Sequence, residues 1–183
     1  VAATQGGRSE LQIAAHTSLA ELEVDRAAGT PRARELLELA DAIASNQPNP
    51  DLKHDLDRAL LWADVLQTEG ELESVLERVR RLSERFALAA RMPATHISVL
   101  GREAAVLREL GRYEEAADVA TTAVSRARTL VGERHPLLGF ALGELTVARV
   151  ELGALDEALA SAEEAVAVRE APRTPSPATL GRA

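Results

Sequence analysis

Apolar residues recur along this chain at spacings of three and four, which is the period of one face of an α-helix. These segments alternate with short stretches that contain glycine or proline. The pattern predicts eight helices in four pairs. The first helices of the pairs span about residues 10–28, 51–69, 94–110 and 137–152, and the second helices span about 31–46, 71–90, 113–131 and 155–171.

The punctuation between the helices repeats at a nearly constant interval. Proline is well tolerated in the first turn of a helix, and glycine closes the C-terminal end. One glycine precedes each second helix: Gly29, Gly70, Gly111 and Gly153. One proline precedes each following pair, at almost the same interval: Pro50, Pro93, Pro136 and Pro177. Two residue types that share one period predict a helical hairpin that is repeated along the chain.

The second helices of the last two pairs carry matching small residues. Alanine stands at 116, 120 and 123, and again one period later at 158, 162 and 165. These spacings place the alanines on one helix face, where small side chains allow two helix axes to approach closely. The alanines therefore predict a repeated packing seam.

The stretches LRELGRYEEA at 107–116 and VELGALDEALASAEEA at 150–165 resemble the turn and second helix of tetratricopeptide repeats. In those repeats a turn glycine precedes a large apolar residue, the position of Tyr113 and Leu155, and then alanines. The long period, together with LVGERHP at 130–136, is similar to the longer repeats of the kinesin light chain type. Glu103 and Thr146 depart from the pattern. The pattern prefers leucine at the position of Glu103 and alanine or glycine at the position of Thr146.

The resemblance implies an all-α fold, namely a right-handed α-solenoid of stacked antiparallel helical hairpins. We expect a flexible lead at 1–7 and one array at 8–171, with repeats at about 8–49, 50–92, 93–135 and 136–171. Residues 172–183 should form a linker and the truncated start of a further repeat. SPATLGRA at 176–183 has the phase of HPLLGFAL at 135–142, which supports that assignment.

Composition narrows the classes of function. Only 2% of the residues are aromatic while 46% are apolar, which suits closely packed helices better than a sandwich or barrel. The chain has no cysteine, so disulfides and thiolate metal sites are excluded. The net charge of −8 argues against nucleic acid or an anionic membrane as the partner. With no apolar run long enough to span a bilayer, a soluble, cytoplasmic protein is expected.

Several polar residues have a candidate chemical role and a structural alternative. DLKHDLD at 51–57 gathers Asp51, His54, Asp55 and Asp57, for which a weak metal site is the alternative to acidic residues that favour a helix N-terminus. Three other histidines have no metal-binding spacing and are assigned structural roles: His16, His96 and His135.

Two further groups of residues also favour a structural role. For Trp62, packing beside Leu66 is preferred to a cofactor or peptide contact. For Arg78, Arg81 and Arg85, a solvated helix face is preferred to a phosphate-binding strip. No nucleotide-binding or hydrolase motif is present, and we predict no cofactor, no metal and no catalytic residue.

The function that remains is recognition of another molecule. The resemblance implies a groove lined by the first helices, which holds a peptide or a helix of a protein partner. Its predicted partner-binding residues are Asp57, Asp64, Arg102, Arg108, Phe140, Glu144 and Glu151. The leading hypothesis is a non-catalytic protein–protein interaction module of a larger bacterial signalling or regulatory protein. The alternative is a self-association scaffold, a homodimer through an exposed array end, and an enzyme is a distant third.

Overall fold

A computed structural model describes residues 2–24, 30–47, 52–88 and 93–170. These residues form eight α-helices and no strand. The helices are α1 (Ala2–Val24), α2 (Thr30–Ala44), α3 (Leu52–Thr68), α4 (Leu72–Leu88), α5 (Pro93–Glu109), α6 (Tyr113–Val131), α7 (Pro136–Glu151) and α8 (Leu155–Glu170). All eight predicted helices are confirmed. The further repeat expected at 172–183 lies outside the described residues.

Helix α1 differs from its predicted bounds at the N-terminal end. It begins at Ala2, whereas the sequence pattern predicted a start near residue 10 and a lead at 1–7. The residues before Gly6 and Gly7 include alanines, which have the highest helix propensity. A glycine costs about 1 kcal/mol relative to alanine in a helix, and a helix that already extends from residue 8 onward can propagate through that cost. The apolar spacing therefore predicted the part of α1 that packs against other helices, but it did not predict where the helix begins.

The turns that follow α5 and α7 depend on glycine. Gly111 has φ 71° and Gly153 has φ 75°, in the left-handed region where a side chain would be strained. The amide of Arg112 donates to the carbonyl of Leu107 at 2.9 Å, and the amide of Ala154 donates to that of Arg149 at the same distance. This six-residue closure is the Schellman motif, which satisfies carbonyl groups at a helix C-terminus. The predicted role of the repeated glycine is confirmed at both turns.

Two of the first helices, α5 and α7, begin with proline as predicted, whereas Pro50 and Pro177 lie outside the described residues. Pro93 and Pro136 are the first residues of α5 and α7. His135 caps α7, since its Nδ1 accepts a hydrogen bond from the amide of Leu137 at 3.2 Å. The structural role assigned to this histidine is confirmed, and it supplies the acceptor that serine or asparagine commonly provides.

The chain divides into two compact units, unit 1 (Val1–Leu82) and unit 2 (Ser83–Ala183). In unit 1, α1 packs against α2, and α3 contacts both helices. In unit 2, each helix from α5 to α8 packs against the next, and the first helices α5 and α7 also touch directly. Antiparallel hairpins therefore stack within unit 2 as the sequence predicted.

The core of unit 2 combines leucines with the repeated alanines. Its buried cluster consists of Ile97, Leu100, Ala104, Ala120, Ala123, Val124, Ala127, Leu138, Ala141, Leu142, Leu145, Ala165 and Val168. Ala116 and Ala158 are also buried, whereas Ala162 is only partly buried. Small residues thus stand where helices approach closely, which agrees with the predicted seam.

Enlarging a seam alanine should destabilise the protein. We expect Ala116→Leu to lower the free energy of unfolding by about 1–3 kcal/mol, because added methylene groups force packed helices apart. Glu114→Ala is the control on the same helix, since Glu114 is exposed. Urea denaturation of both variants measures the difference. Equal urea midpoints for Ala116→Leu and the parent would show that the packing around this alanine accommodates a larger side chain.

Candidate functional site

The first helices of unit 1 enclose a cleft of about 490 Å³, here called the α1–α3 cleft. Helix α1 contributes one wall and helix α3 the other. The lining residues are Ala14, Thr17, Ser18, Glu21, His54, Asp57, Leu60, Leu61 and Asp64. The structure therefore brings together Asp57 and Asp64, two of the predicted groove residues, and adds the α1 residues that sequence reasoning missed. Helix α1 has the weakest repeat match, which left no pattern from which to place them.

The α1–α3 cleft continues into exposed apolar surface on α1. Leu11 and Leu22 are 73% and 60% exposed. Together with the cleft residues Ala14 and Ser18 they follow spacings of three and four, so the four residues share one helix face. On α3, Leu60 is 37% exposed. Leucines that face solvent beside a concave surface are typical of sites that bind another molecule.

The first helices of unit 2 form a second surface, called the α5–α7 surface. Phe140 of α7 lies directly over Gly101 of α5. A Cβ atom placed on Gly101 would clash with Cε1 of Phe140, so the absence of a side chain lets the ring rest on α5. Phe140 remains 38% exposed, which leaves part of the ring available for contact.

An ion pair lies on the same α5–α7 surface. Nη2 of Arg108 is 3.8 Å from Oε2 of Glu144, and both side chains are about three-quarters buried. Burial raises the pKa of Glu144, while the nearby Arg108 guanidinium acts in the opposite direction. Arg102 lies half-buried on α5, and Glu151 is the exposed last residue of α7. Five of the seven predicted groove residues thus belong to unit 2.

A third feature, in unit 1, was not predicted from the sequence. Trp62 is only 3% exposed, which confirms its packing role, but it also lines a polar cleft of about 500 Å³. Its Nε1 donates a hydrogen bond to Asp41 at 2.9 Å. The guanidinium of Arg78 lies 4.2 Å from the ring centroid, within the range of a cation–π contact. Arg78 was assigned to a solvated face, and that assignment is wrong, because its planar cation stacks on the indole.

Asp41 and Asp55 hold one arginine between them, and we call Asp41, Asp55, Arg58, Trp62 and Arg78 the Trp62 cluster. Arg58 Nε donates to Asp41 at 2.6 Å, and its Nη2 donates to Asp55 at 2.6 Å. Asp41 also accepts from Arg78 at 3.2 Å. Asp55 belongs to the DLKHDLD stretch, and this contact supports the structural assignment made for it. Arg58 and Trp62 stand one helical turn apart, which is the only sequence signal for this cluster.

His96 is a buried titratable group of unit 2. Arg126 Nη1 lies 3.2 Å from His96 Nδ1, and arginine can only donate, so Nδ1 accepts and the ring is neutral. Burial, and secondarily the charge of Arg126, lower the pKa of His96 below its ordinary 6.5. The arrangement is structural, as the sequence analysis assigned it.

The depressed pKa of His96 makes stability depend on pH. The unfolded chain binds the proton more readily than the folded one, so the contribution is complete above pH 6.5 and is lost as the pH falls below it. We expect His96→Gln to reduce the loss of unfolding free energy between about pH 7.5 and about pH 5.5. His16→Gln, at a less buried histidine of α1, is the control. Identical pH slopes for His96→Gln and the parent would contradict this role.

Comparisons with known proteins agree with this architecture. The sequence profile of the tetratricopeptide repeat family matches residues 95–171. The Arabidopsis thaliana protein Kinesin light chain-related 2 is 29% identical over 106 residues, which are 58% of this chain and 16% of that protein. The chain thus spans about a sixth of the length of this curated relative. The resemblance stated from the sequence is confirmed.

Two solved structures are similar in fold. BtubC (BKLC) from P. vanneervenii superposes with a TM-score of 0.75 at 18% identity, over 94% of this chain and 69% of that chain. A Podosopora anserina kinesin light chain-type protein with nearly identical TPR-like repeats superposes with a TM-score of 0.70 at 20% identity, over 93% of this chain and 77% of that chain. At these identities the likeness concerns the fold, and it confirms the all-α, tetratricopeptide-like class.

The match to the tetratricopeptide repeat profile also indicates a general class of function. Tetratricopeptide repeats generally mediate contacts between proteins. Among the described helices, none combines the length and the apolar character that crossing a membrane requires.

Proposed function

We propose that this chain, whose residues 95–171 match the tetratricopeptide repeat profile, is a non-catalytic module that binds a peptide or a helix of a protein partner on its first helices. The α1–α3 cleft carries the proposal, because it is concave, accessible and bordered by exposed leucines. The partly exposed ring of Phe140 supports the same role for the α5–α7 surface. A place in a larger bacterial signalling or regulatory protein, in the cytoplasm, remains part of the proposal.

A selection experiment tests this function with an unbiased set of ligands. Random peptides displayed on phage are panned against the chain, and the selected peptides are synthesised. Backbone amide exchange is then measured with and without each peptide. We expect added protection in α1, α3, α5 or α7. Recovery of no peptide, or protection confined to α2, α4, α6 and α8, would reject the proposal.

Self-association is a second candidate, and one observation favours it. Val124 on α6 and Val166 on α8 are equivalent positions of consecutive repeats, yet they are 4% and 52% exposed. Helix α7 packs on α6 and shares a core with Val124. Leu155 and Leu159 on α8 are also exposed. A second copy that covers this face of α8 would bury Val166, as the equivalent Val124 is buried in the preceding repeat.

Solution mass decides between a monomer and a homodimer. Sedimentation equilibrium over a concentration series should show association if α8 is an interface, and Val166→Asp should weaken it. Glu163→Asp is the control, because Glu163 is exposed on the same helix and the substitution leaves the charge at this position unchanged. A single monomeric mass at every concentration would eliminate this candidate.

A further inference from the structure

Three apolar residues, here called the apolar floor, are among the nine that line the α1–α3 cleft. They are Ala14, Leu60 and Leu61. Leu11 and Leu22 continue the α1 face on either side of Ala14 and Ser18, and both are more than half exposed. Covering exposed leucine surface with a partner stabilises the complex by about 25 cal/mol for each Å² removed from water. An occupant with apolar side chains on one face would therefore fit this floor.

The charged groups of the cleft have one sign. Among the described residues that line it, three are acidic, one is histidine and none is lysine or arginine. The acidic residues come from both walls, Glu21 from α1 and Asp57 and Asp64 from α3. A partner's positive charges would therefore meet carboxylates of both walls, Glu21 and Asp57.

The α5–α7 surface has a different balance of charge. Its predicted binding residues include Arg102 and Arg108 as well as Glu144 and Glu151, and Arg108 is paired with Glu144. The same partner chemistry would not suit both surfaces. Unit 2 therefore serves as a comparison for unit 1 within the same chain, because its first-helix surface carries both signs of charge.

We propose that the α1–α3 cleft selects a cationic amphipathic segment of a partner protein, whose leucine-like side chains cover the apolar floor and whose lysine or arginine residues face Glu21 and Asp57. This inference rests on the proposed function and narrows it to one partner chemistry. Apolar contact supplies affinity, while the carboxylates supply orientation and faster association. The net charge of −8 adds a long-range attraction for cations.

Three synthetic peptides test the inference against the full chain. The first has leucines on one helical face and lysines beside them. The second keeps the leucines and replaces every lysine with glutamate. The third has the composition of the first in scrambled order, so its charge is unchanged while its apolar face is lost. Fluorescence anisotropy with labelled peptides measures the dissociation constants.

The first peptide should bind at least about tenfold more tightly than either of the others, a difference of about 1.4 kcal/mol. Asp57→Asn and Glu21→Gln should each weaken it by about threefold or more, and both effects should shrink at high salt. Glu163→Gln is the matched control, because it removes one exposed carboxylate from unit 2 and should leave binding of the first peptide unchanged. Thermal denaturation by circular dichroism verifies that each variant is folded.

Each alternative outcome has a distinct meaning. Equal binding of the lysine and glutamate peptides, or of the ordered and scrambled peptides, overturns the inference. An equal loss with Glu163→Gln and Asp57→Asn also overturns it, because general attraction to an acidic protein would then explain the binding. If the phage selection yields ligands for the first helices that are not cationic, this inference fails and the proposed function stands. If the selection yields no ligand at all, the proposed function fails with it.

Discussion

Replacing Arg58 with methionine should lower the free energy of unfolding by about 3 kcal/mol, since it removes the hydrogen bonds that this buried guanidinium donates to Asp41 and Asp55. Arg58 is 9% exposed and Asp55 is 4% exposed, and they are joined at 2.6 Å. Asp41, which is more accessible, would also lose a hydrogen bond from Arg58. Trp62 is the only tryptophan of the chain and contacts Asp41, so its fluorescence during urea unfolding reports on this region.

A double variant separates the loss of the ion pair from other effects of the substitution. Asp55→Leu combined with Arg58→Met should be more stable than Arg58→Met alone, because apolar groups often replace a complete buried pair at little cost. A double variant that is no more stable than Arg58→Met would contradict the loss of the Arg58–Asp55 pair as the cause.

An exposed pair with the same sequence spacing provides the control. Arg32 and Glu35 lie 2.5 Å apart, and both side chains are 62% exposed. Glu35→Ala should change the free energy of unfolding by no more than about 0.5 kcal/mol, because exposed ion pairs contribute little. The contrast between the two pairs measures the effect of burial, since both are separated by three residues on a helix.

Leu142→Ala is the second substitution with a large expected effect, a loss of about 3 kcal/mol in the free energy of unfolding. Leu142 is 1% exposed in the core of unit 2, where it shares a cluster with Leu138 and Leu145. Truncation removes apolar contacts and leaves a cavity that packed helices fill only partly. Urea denaturation followed by circular dichroism measures the loss.

Val147→Ala is the matched control for this truncation. Val147 lies on the same helix but is 38% exposed, so the variant should stay within about 1 kcal/mol of the parent. Equal losses for Leu142→Ala and Val147→Ala would mean that the two positions of α7 are buried to the same extent in solution.

Local features of the chain determined the helices and their turns. Gly111 and Gly153 adopt positive φ and close α5 and α7, and Pro136 begins α7, because each effect depends on the residue's own backbone. The spacing of Ala116, Ala120 and Ala123 located the packed face of α6 for a similar reason, since helical period alone places them together. The repeated hairpin, and with it the all-α class, could therefore be predicted from local signals, whereas the α-solenoid was implied by the resemblance to tetratricopeptide repeats.

Helical phase, guided by the resemblance to tetratricopeptide repeats, assigned Asp57 and Asp64 to the first-helix surface, but only the tertiary structure placed α1 opposite them. The same holds for Phe140, which rests on α5 because Gly101 lacks a side chain. Arg78 reaches the Trp62 ring from another helix, so a charge pattern along α4 could not distinguish it from a solvated arginine. These contacts join residues that are distant in the chain, and their energies depend on the distance and burial of both partners. Tertiary packing therefore decided the shape and charge of the α1–α3 cleft and the pairing within the Trp62 cluster.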